Sequence, residues 1–205
     1  MLSYISLDLE TTGFSPYNNE IIQVSAWKVE EGLVADKFNT YVKPIQYIPR
    51  EVQSITGITP SMVADAPSVE EVLPEFCSFC GDLPFLGHNL SFDYNFLLVK
   101  GKWCGVDFSL NGARTGIDTL KLAKKIFPSL KKYSLEDLVQ HFKISIGDPK
   151  FHDSSFDSYV TKLIYDRFCL MDGMHGVSGL RIPALLIDKK KEYGEATNNS
   201  LLSFE

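Results

Sequence analysis

Acidic side chains in three separated short segments constrain the fold of this 205-residue chain more than any other feature. Asp8 and Glu10 lie near the start, Asp93 lies in the middle, and His152 and Asp157 come near the end. Carboxylates that converge on one point repel one another strongly unless divalent cations lie between them. With a histidine that can transfer a proton, such a group suits metal-assisted cleavage of a phosphodiester. The fold must then bring three distant segments together.

The composition is that of a globular protein with one sizeable core. The hydrophobic fraction of 44% and the charged fraction of 22% are ordinary, and this length allows one domain with a short appendage. The first residues carry no basic leader and no segment approaches the length of a membrane span, so we expect a cytoplasmic protein without a membrane anchor. Cys77 and Cys80 form a CxxC pair, but their helical context favours buried small side chains over a metal or redox site.

The charge distribution bears on nucleic-acid binding. A net charge of −6 argues mildly against a domain that only holds nucleic acid, because such domains usually carry a basic face. The negative charge counts less against an enzyme that uses several acids to bind metal. Lysines cluster within residues 100–102, 121–125 and 131–132. They form either a rim that attracts phosphates or ordinary solvated helix faces.

The order of the predicted elements indicates a mixed α/β sheet flanked by helices. Strands predicted at 2–9, 20–29 and 38–42 have short connections, which favours an antiparallel meander. After them, short strands at 84–86 and 115–118 alternate with helices, as in a mixed sheet. The helical segments are predicted at 50–55, 61–64, 69–80, 92–100, 119–126, from 134 and at 153–168. We predict one domain over 1–171 and a loosely packed tail over 172–205.

Asp8 and Glu10 are two residues apart on a predicted strand, so both side chains point to one face. In a two-metal site one acid can bridge both ions while its neighbour holds the second ion. An isolated pair of this kind is equally a pair of surface acids at a strand end. The following Thr11-Thr12-Gly13 supplies a tight turn and hydroxyl and backbone donors, which favours a functional site. These donors can hold a terminal ribose hydroxyl.

The middle segment combines an acid with aromatic side chains. Asp93 falls in the first turn of a predicted helix, where an acid most often complements the helix dipole. His88 and Asn89 precede it and are interpreted as support for neighbouring groups. Phe92 and Phe96 are either core side chains or a wedge that stacks on an unpaired base.

His152 precedes Asp157 by five residues, at the entry to the last predicted helix. A loop histidine with a pKa near about 6.5 can accept a proton from metal-bound water at neutral pH. Taken alone, His152 is a loop residue without a function. The three segments in this order favour the catalytic interpretation.

The motifs resemble those of the DEDDh branch of the DnaQ-type 3′→5′ exonucleases, which includes the epsilon proofreading subunits of bacterial DNA polymerase III. The resemblance covers roughly residues 1–168 and implies a ribonuclease H-like fold with a mixed five-stranded sheet. Ser154 and Ser158 depart from it, because the third motif usually carries small apolar residues at these positions. The matching segments are residues 8–13, 55–59, 88–93, 117–120 and 152–157.

The resemblance also implies removal of nucleoside 5′-monophosphates from a single-stranded or frayed 3′ end of DNA, using two Mg²⁺ or Mn²⁺ ions, in proofreading or repair. It implies His152 as the general base. The metal ligands would be Asp8, Glu10, Asp93 and Asp157. The side chains expected at the terminal nucleotide are Thr11, Thr12, Ile58, Asn89 and Phe92. Two alternatives remain: an RNA-trimming enzyme of the same fold, and a non-catalytic polymerase or clamp adaptor.

The end of the chain suggests protein partners. Residues 199–204 resemble the hexapeptide by which bacterial replication proteins bind the sliding clamp, with Asn199 where glutamine is usual. Leu202 and Phe204 would then fill an apolar pocket as an extended segment. Otherwise the segment is a disordered end with two stray apolar residues. A replicative polymerase and its clamp are therefore candidate partners.

Overall fold

The computed structural model describes residues 3–108, 116–147 and 151–174, with side chains to residue 171. Within these ranges the strands form one mixed sheet. The strands are β1 (Tyr4–Thr11), β2 (Ile21–Glu30), β3 (Leu33–Tyr41), β4 (Phe85–Gly87) and β5 (Gly116–Asp118). The helices are α1 (Arg50–Thr56), α2 (Pro60–Val63), α3 (Val69–Cys80), α4 (Leu90–Trp103), α5 (Thr119–Ile126), α6 (Leu135–Phe142) and α7 (Ser154–Met174).

The sheet has the order β3-β2-β1-β4-β5, with β1 at its centre. β1 pairs antiparallel with β2, where Leu7 lies opposite Ala26, and parallel with β4, where Ile5 lies opposite Phe85. β5 continues the sheet beyond β4 in a parallel arrangement. The predicted meander followed by parallel strands is confirmed.

Alternation along β1 assigns its side chains to two separate cores. Ile5 and Leu7 pack into a cluster built mainly by α3 and α4, whereas Tyr4 packs into a second cluster that α5, α6 and α7 complete. Side chains two residues apart on a strand share a face. Asp8 and Glu10 therefore lie on the face of the sheet that α7 covers.

Some element bounds differ from those predicted. β3 begins at Leu33 rather than at residue 38, and β1 continues to Thr11 rather than ending at residue 9. Residues 33–37 are all exposed on an edge strand, so no burial pattern marks them in the sequence. Their pairing follows from the turn at Glu31 and Gly32, which both have positive φ (51° and 86°) and so allow a tight hairpin.

The structure also bears on the predicted cysteine context and on the tail. Cys77 and Cys80 lie on α3 outside any disulfide of the described residues; Cys77 is half-buried and Cys80 is buried. In the described ranges, none of the helices is both long and apolar enough to cross a membrane. Helix α7 extends to Met174, past the predicted domain boundary at residue 171. The clamp-like segment with Leu202 and Phe204 lies outside the described residues.

Candidate active site

Three elements bring the four predicted acids to one end of β1. Asp8 and Glu10 lie on the last residues of that strand, Asp157 lies in the first turn of α7, and Asp93 lies in the first turn of α4. The negative charges of Asp93, Glu10 and Asp157 all act on Asp8. The sheet and two helices thus gather the carboxylates that are far apart in the sequence.

Small side chains allow α7 to lie close to the sheet. The Ser6 hydroxyl donates to the Ser158 carbonyl oxygen at 2.7 Å, and the hydroxyl oxygens of Ser154 and Ser25 are 2.8 Å apart. Ser154 and Ser158 are fully buried. These are the two positions at which the third motif departs from its usual apolar residues. The Ser154 hydroxyl joins α7 to β2, and the Ser158 carbonyl oxygen joins α7 to β1, so the helix start is held against the acids of β1. The Ser158 hydroxyl itself donates to the Ser155 carbonyl oxygen at 3.2 Å, within the helix.

Asp93 accepts a hydrogen bond from a backbone N–H of β1 that is not used to pair with β4. β4 ends at Gly87 while β1 continues, so β1 has no parallel neighbour beyond that point. The Leu9 N–H donates instead to Asp93 Oδ1 at 3.0 Å, and Asp93 is buried. A hydrogen bond to a carboxylate orients it and favours its charged form. One oxygen of Asp93 is therefore fixed by the end of β1.

His152 holds Asp157 through its backbone. Its φ of 68° lies in the left-handed region, which few residues other than glycine adopt. In this conformation the His152 N–H donates to Asp157 Oδ2 at 3.0 Å, and the side chain is exposed. The imidazole is therefore available to solvent beside the carboxylates.

Every one of the four carboxyl groups binds its proton more tightly than usual. Burial raises the pKa of Glu10 to about 8 and that of Asp93 to about 7. Burial also raises the pKa of Asp157 to about 6, although the N–H and the charge of His152 lower it. For Asp8, burial and then the charge of Asp93 raise the pKa well above its usual value. Close anions with little solvent behave in this way.

The carboxylates fit divalent cations by charge and donor type. Asp157 Oδ1 is buried and has no hydrogen-bond partner among the described residues, and such an oxygen requires an explanation such as an ion. Oxygen donors of this kind suit Mg²⁺ and Mn²⁺. Among the described side chains, no three of His, Cys, Asp and Glu are already arranged as a metal-binding group. The fit therefore rests on the donors and the repulsion between them.

The turn after β1 uses its own hydroxyls. The Thr11 hydroxyl donates to the Gly13 carbonyl oxygen at 2.7 Å, and the Thr12 hydroxyl accepts from the Glu20 N–H at 2.9 Å. A Cβ on Gly13 would lie 2.7 Å from the Asn19 side chain, so a larger residue would have to displace the side chain that accepts the Ser15 N–H at 3.0 Å. Both threonines are buried. Their hydroxyls shape the turn, and their contact with a terminal nucleotide stays a prediction.

Asn89 and His88 join the middle segment to the start of α5. The Asn89 N–H donates to Asp118 Oδ1 at 3.2 Å, and His88 Nδ1 lies 2.9 Å from Thr119 Oγ1. Asp118 also caps α5 by accepting from the Leu120 N–H at 2.9 Å. Asp118 is therefore a positioning residue whose partner could not be read from local sequence.

The predicted contact of Ile58 with the terminal nucleotide is not favoured by its position. Ile58 is 2% exposed and packs in a third apolar cluster with Ile22, Ile48 and Val63. A side chain enclosed in this way has little surface for a ligand. Ile55, which is 60% exposed, is the apolar side chain of that segment that reaches solvent.

Phe14 is an exposed aromatic side chain beside Phe92 that was not predicted from the sequence. Phe92 is half-buried and contacts Phe96, with ring centroids 5.2 Å apart. On its other side it meets Phe14 edge-on at 6.4 Å, and Phe14 is 91% exposed. A phenylalanine directly after a Gly in a turn was the available signal, because such an apolar side chain has no local core to enter.

Comparison with known proteins assigns the chain to a family. The sequence profile described as Exonuclease matches residues 5–165. The chain belongs to the exonuclease family. The epsilon subunit of DNA polymerase III from Aquifex aeolicus is 40% identical to this exonuclease over 141 residues, which cover 68% of each chain. PolC-type DNA polymerase III from Thermotoga maritima is 38% identical over 178 residues, which are 87% of this chain and 13% of that protein.

Solved structures agree with this assignment. Exonuclease X, in complex with 5′-overhanging duplex DNA, superposes with a TM-score of 0.67 and 27% identity over 84% of this exonuclease and 93% of that chain. Escherichia coli exonuclease I, in complex with a dA16 oligonucleotide, shares the fold with a TM-score of 0.72, at 19% identity over 86% of this chain and 42% of its own. The predicted family and the ribonuclease H-like fold are confirmed. The chain spans only 13% of the PolC-type relative.

Proposed function

We propose that this exonuclease releases nucleoside 5′-monophosphates from 3′ ends of DNA by two-metal hydrolysis, in proofreading or repair. The observation that carries the proposal is the gathering of Asp8, Glu10, Asp93 and Asp157 from three elements, with the pKa of every carboxyl raised. The relatives named as DNA polymerase III polypeptides, and the exonuclease X structure that holds duplex DNA, support DNA as the substrate.

The residues of the site divide the chemistry between them. Two divalent cations bound by the carboxylates would lower the pKa of the attacking water and stabilise the leaving 3′ oxygen. Asp8 is the best placed to touch both ions, because the charges of Glu10, Asp93 and Asp157 all act on it. The exposed His152 imidazole beside Asp157 accepts the proton of the attacking water.

The surroundings of the carboxylates suit an unpaired 3′ end. Thr12 lies in the turn that follows β1, and the hydroxyl hydrogen of Thr12 is not used in its bond from Glu20. Phe14 and Phe92 form an aromatic pair beside that turn, and aromatic rings stack on bases of any sequence. We propose that the turn holds the terminal sugar and that the pair separates the terminal base.

A digestion series tests the proposal. Wild-type protein is incubated with matched single-stranded DNA, mispaired duplex DNA and RNA, each with Mg²⁺, Mn²⁺ or EDTA. We expect mononucleotides from the DNA 3′ ends, only with metal. Asp157→Asn is expected to abolish release, because it removes one anionic ligand, whereas Glu75→Gln on the exposed side of α3 should leave the rate unchanged.

Two outcomes of this series would contradict the proposal and favour a different function. Faster digestion of RNA than of DNA would favour the RNA-trimming alternative, because the site would then accommodate a 2′-hydroxyl. If the wild-type protein released no mononucleotides with either metal, the non-catalytic adaptor would be the better account.

Association with a replicative polymerase in the cytoplasm is also part of the proposal. It is supported by the names of the relatives, an epsilon subunit and a PolC-type polymerase. The clamp contact through Leu202 and Phe204 stays a prediction from the sequence.

A further inference from the structure

Five exposed lysines lie on α5 and on the segment that follows it, on a chain whose net charge is −6. Residues 119–133 contain these lysines and no acidic residue. The lysine ridge consists of Lys121, Lys124, Lys125, Lys131 and Lys132. Such a local excess of one charge, on a protein of the opposite net charge, is typical of a surface that binds a charged partner.

The helical part of the ridge presents its charges in one direction. Lys121, Lys124 and Lys125 are exposed, while Leu122 and Ala123 between them are buried. Residues three and four apart are neighbours on a helix, and like charges at this spacing are unfavourable. An anion lying along the exposed face would relieve this repulsion.

Among the described residues, Asp118 and Asp137 supply part of the ridge with counter-charge. Lys121 Nζ lies 3.9 Å from Asp118 Oδ2, and Lys124 Nζ lies 5.9 Å from the centre of the Tyr133 ring. Within the part of the chain that the structure describes, Lys125, Lys131 and Lys132 form no ion pair, although the charge of Lys132 helps to lower the pKa of Asp137. These three lysines can therefore bind an external anion without breaking an ion pair of the described fold.

The ridge begins beside the candidate active site. α5 starts at Asp118, which accepts the Asn89 N–H at 3.2 Å, and Asn89 immediately precedes the helix that carries Asp93. A rise of about 1.5 Å per residue places Lys125 about 10 Å along α5 from Asp118. This distance spans at most about three nucleotides, taking the rise of about 3.4 Å per nucleotide that a strand has in duplex DNA.

We propose that the lysine ridge binds the phosphates of a nucleic-acid strand on the 5′ side of its terminal nucleotide. The proposal rests on the proposed function, since it takes the 3′ end to lie at the carboxylates. The ridge then supplies affinity for the strand without reading its sequence, because lysines that contact phosphates carry no base information.

Binding to a fluorescent single-stranded 12-mer in EDTA tests the ridge without cleavage. The test variant is Lys131→Gln/Lys132→Gln, and the matched control is Lys37→Gln/Lys43→Gln. Lys37 lies on β3, at the sheet edge opposite to β5 and α5, and Lys43 follows the same strand. Both variants change the net charge equally and alter exposed side chains.

For the ridge variant we expect the slope of log K against log salt to become shallower by about 1.4, because two single-strand phosphate contacts are lost. At 0.1 M salt this corresponds to an affinity about 25-fold weaker. The control should bind like the wild type. Equal slopes for the two double variants would overturn the proposal.

Cleavage separates the ridge from the active site. With Mn²⁺, the ridge variant should lose kcat/KM on the 12-mer but not on a dinucleotide, which is too short to reach the ridge. An equal loss on both substrates would place these lysines in the active site and overturn the proposal. If the wild type cleaved neither substrate, the proposed function would fail. The binding comparison in EDTA would still show whether the ridge lysines bind the strand.

Discussion

Each carboxyl of the active site is more stable protonated in the folded chain than in a peptide. Burial is the main cause, and the neighbouring negative charges add to it. The local hydrogen bonds oppose this effect only in part: the Leu9 N–H acts on Asp93 and the His152 N–H acts on Asp157. The metal-free site is therefore a region in which charge works against folding.

The first prediction concerns the stability of the metal-free protein. A carboxyl whose pKa is raised on folding contributes stability at low pH, and this contribution is lost as the pH rises through the folded pKa. With a pKa of about 6 for Asp157, about 7 for Asp93 and about 8 for Glu10, the loss spans about pH 4 to 8. We expect Tm in EDTA to fall across this range, and saturating Mn²⁺ to reduce the fall.

Asp8→Asn provides the control for this prediction, because it removes one of the repelling charges. Its Tm should fall less between pH 5 and 8 than that of the wild type. Burial lowers the pKa of His88, which makes stability rise with pH below about 6.5 in both proteins. The difference between the two curves removes that shared contribution. Parallel curves would contradict the proposed repulsion.

The second prediction separates the imidazole of His152 from its backbone. Asn tolerates a positive φ better than Ala does, so His152→Asn should preserve the N–H bond to Asp157 and leave Tm close to that of the wild type. We expect kcat for mononucleotide release to fall by about 100-fold or more, because the variant lacks the proposed general base. His152→Ala should lose activity and some stability. Unchanged turnover in His152→Asn would exclude this residue as the base.

Individual site residues differ in how far the sequence predicts them. The two-residue spacing of Asp8 and Glu10 predicts a shared face, since strand side chains alternate. The position of Asp93 depends on the Leu9 amide, which is free only because β4 is short. The burial of Ile58 depends on partners far along the chain. No local pattern carries such long-range information.

Among the elements, α5 begins at Asp118, a residue that caps this helix and also contacts the segment before α4. One oxygen of this side chain accepts the N–H groups of Leu120 and Lys121 at the helix start and the N–H of Asn89 from the segment before α4. A cap bond of this kind typically contributes about 1 kcal/mol. The same carboxylate therefore stabilises α5 and fixes the entry to the helix that carries Asp93.

The third prediction uses a second cap as its control. Asp118→Ala should lower the free energy of unfolding by about 1 kcal/mol and should also lower kcat, because Asn89 loses its anchor. Ser134 caps α6 by accepting from the Asp137 N–H at 3.1 Å. Ser134→Ala should lower stability by a similar amount with unchanged kcat. Urea unfolding and mononucleotide release measure the two quantities, and equal activity of both variants would leave Asp118 with a helix-capping role alone.

At the scale of the whole molecule, the strand order of the sheet determines which segments of the chain lie next to one another. The order of strands and helices was predictable, because it follows from apolar periodicity and short connections. The first half of β3 was not, because its exposed residues bury nothing. The candidate active site and the proposed lysine ridge lie near β1, β4 and β5, whereas β3 lies at the opposite edge of the sheet.

The buried serines between α7 and the sheet also bear on ionic selectivity. Ser6 and Ser158 set the separation between the element that carries Asp8 and the element that carries Asp157. Mg²⁺ demands near-ideal octahedral coordination at about 2.0–2.1 Å, so it tolerates little widening of its cage. A bulkier residue at either serine should widen the proposed cation site, and we expect a less exacting cation such as Mn²⁺ to activate the proposed reaction better than Mg²⁺ in such a variant.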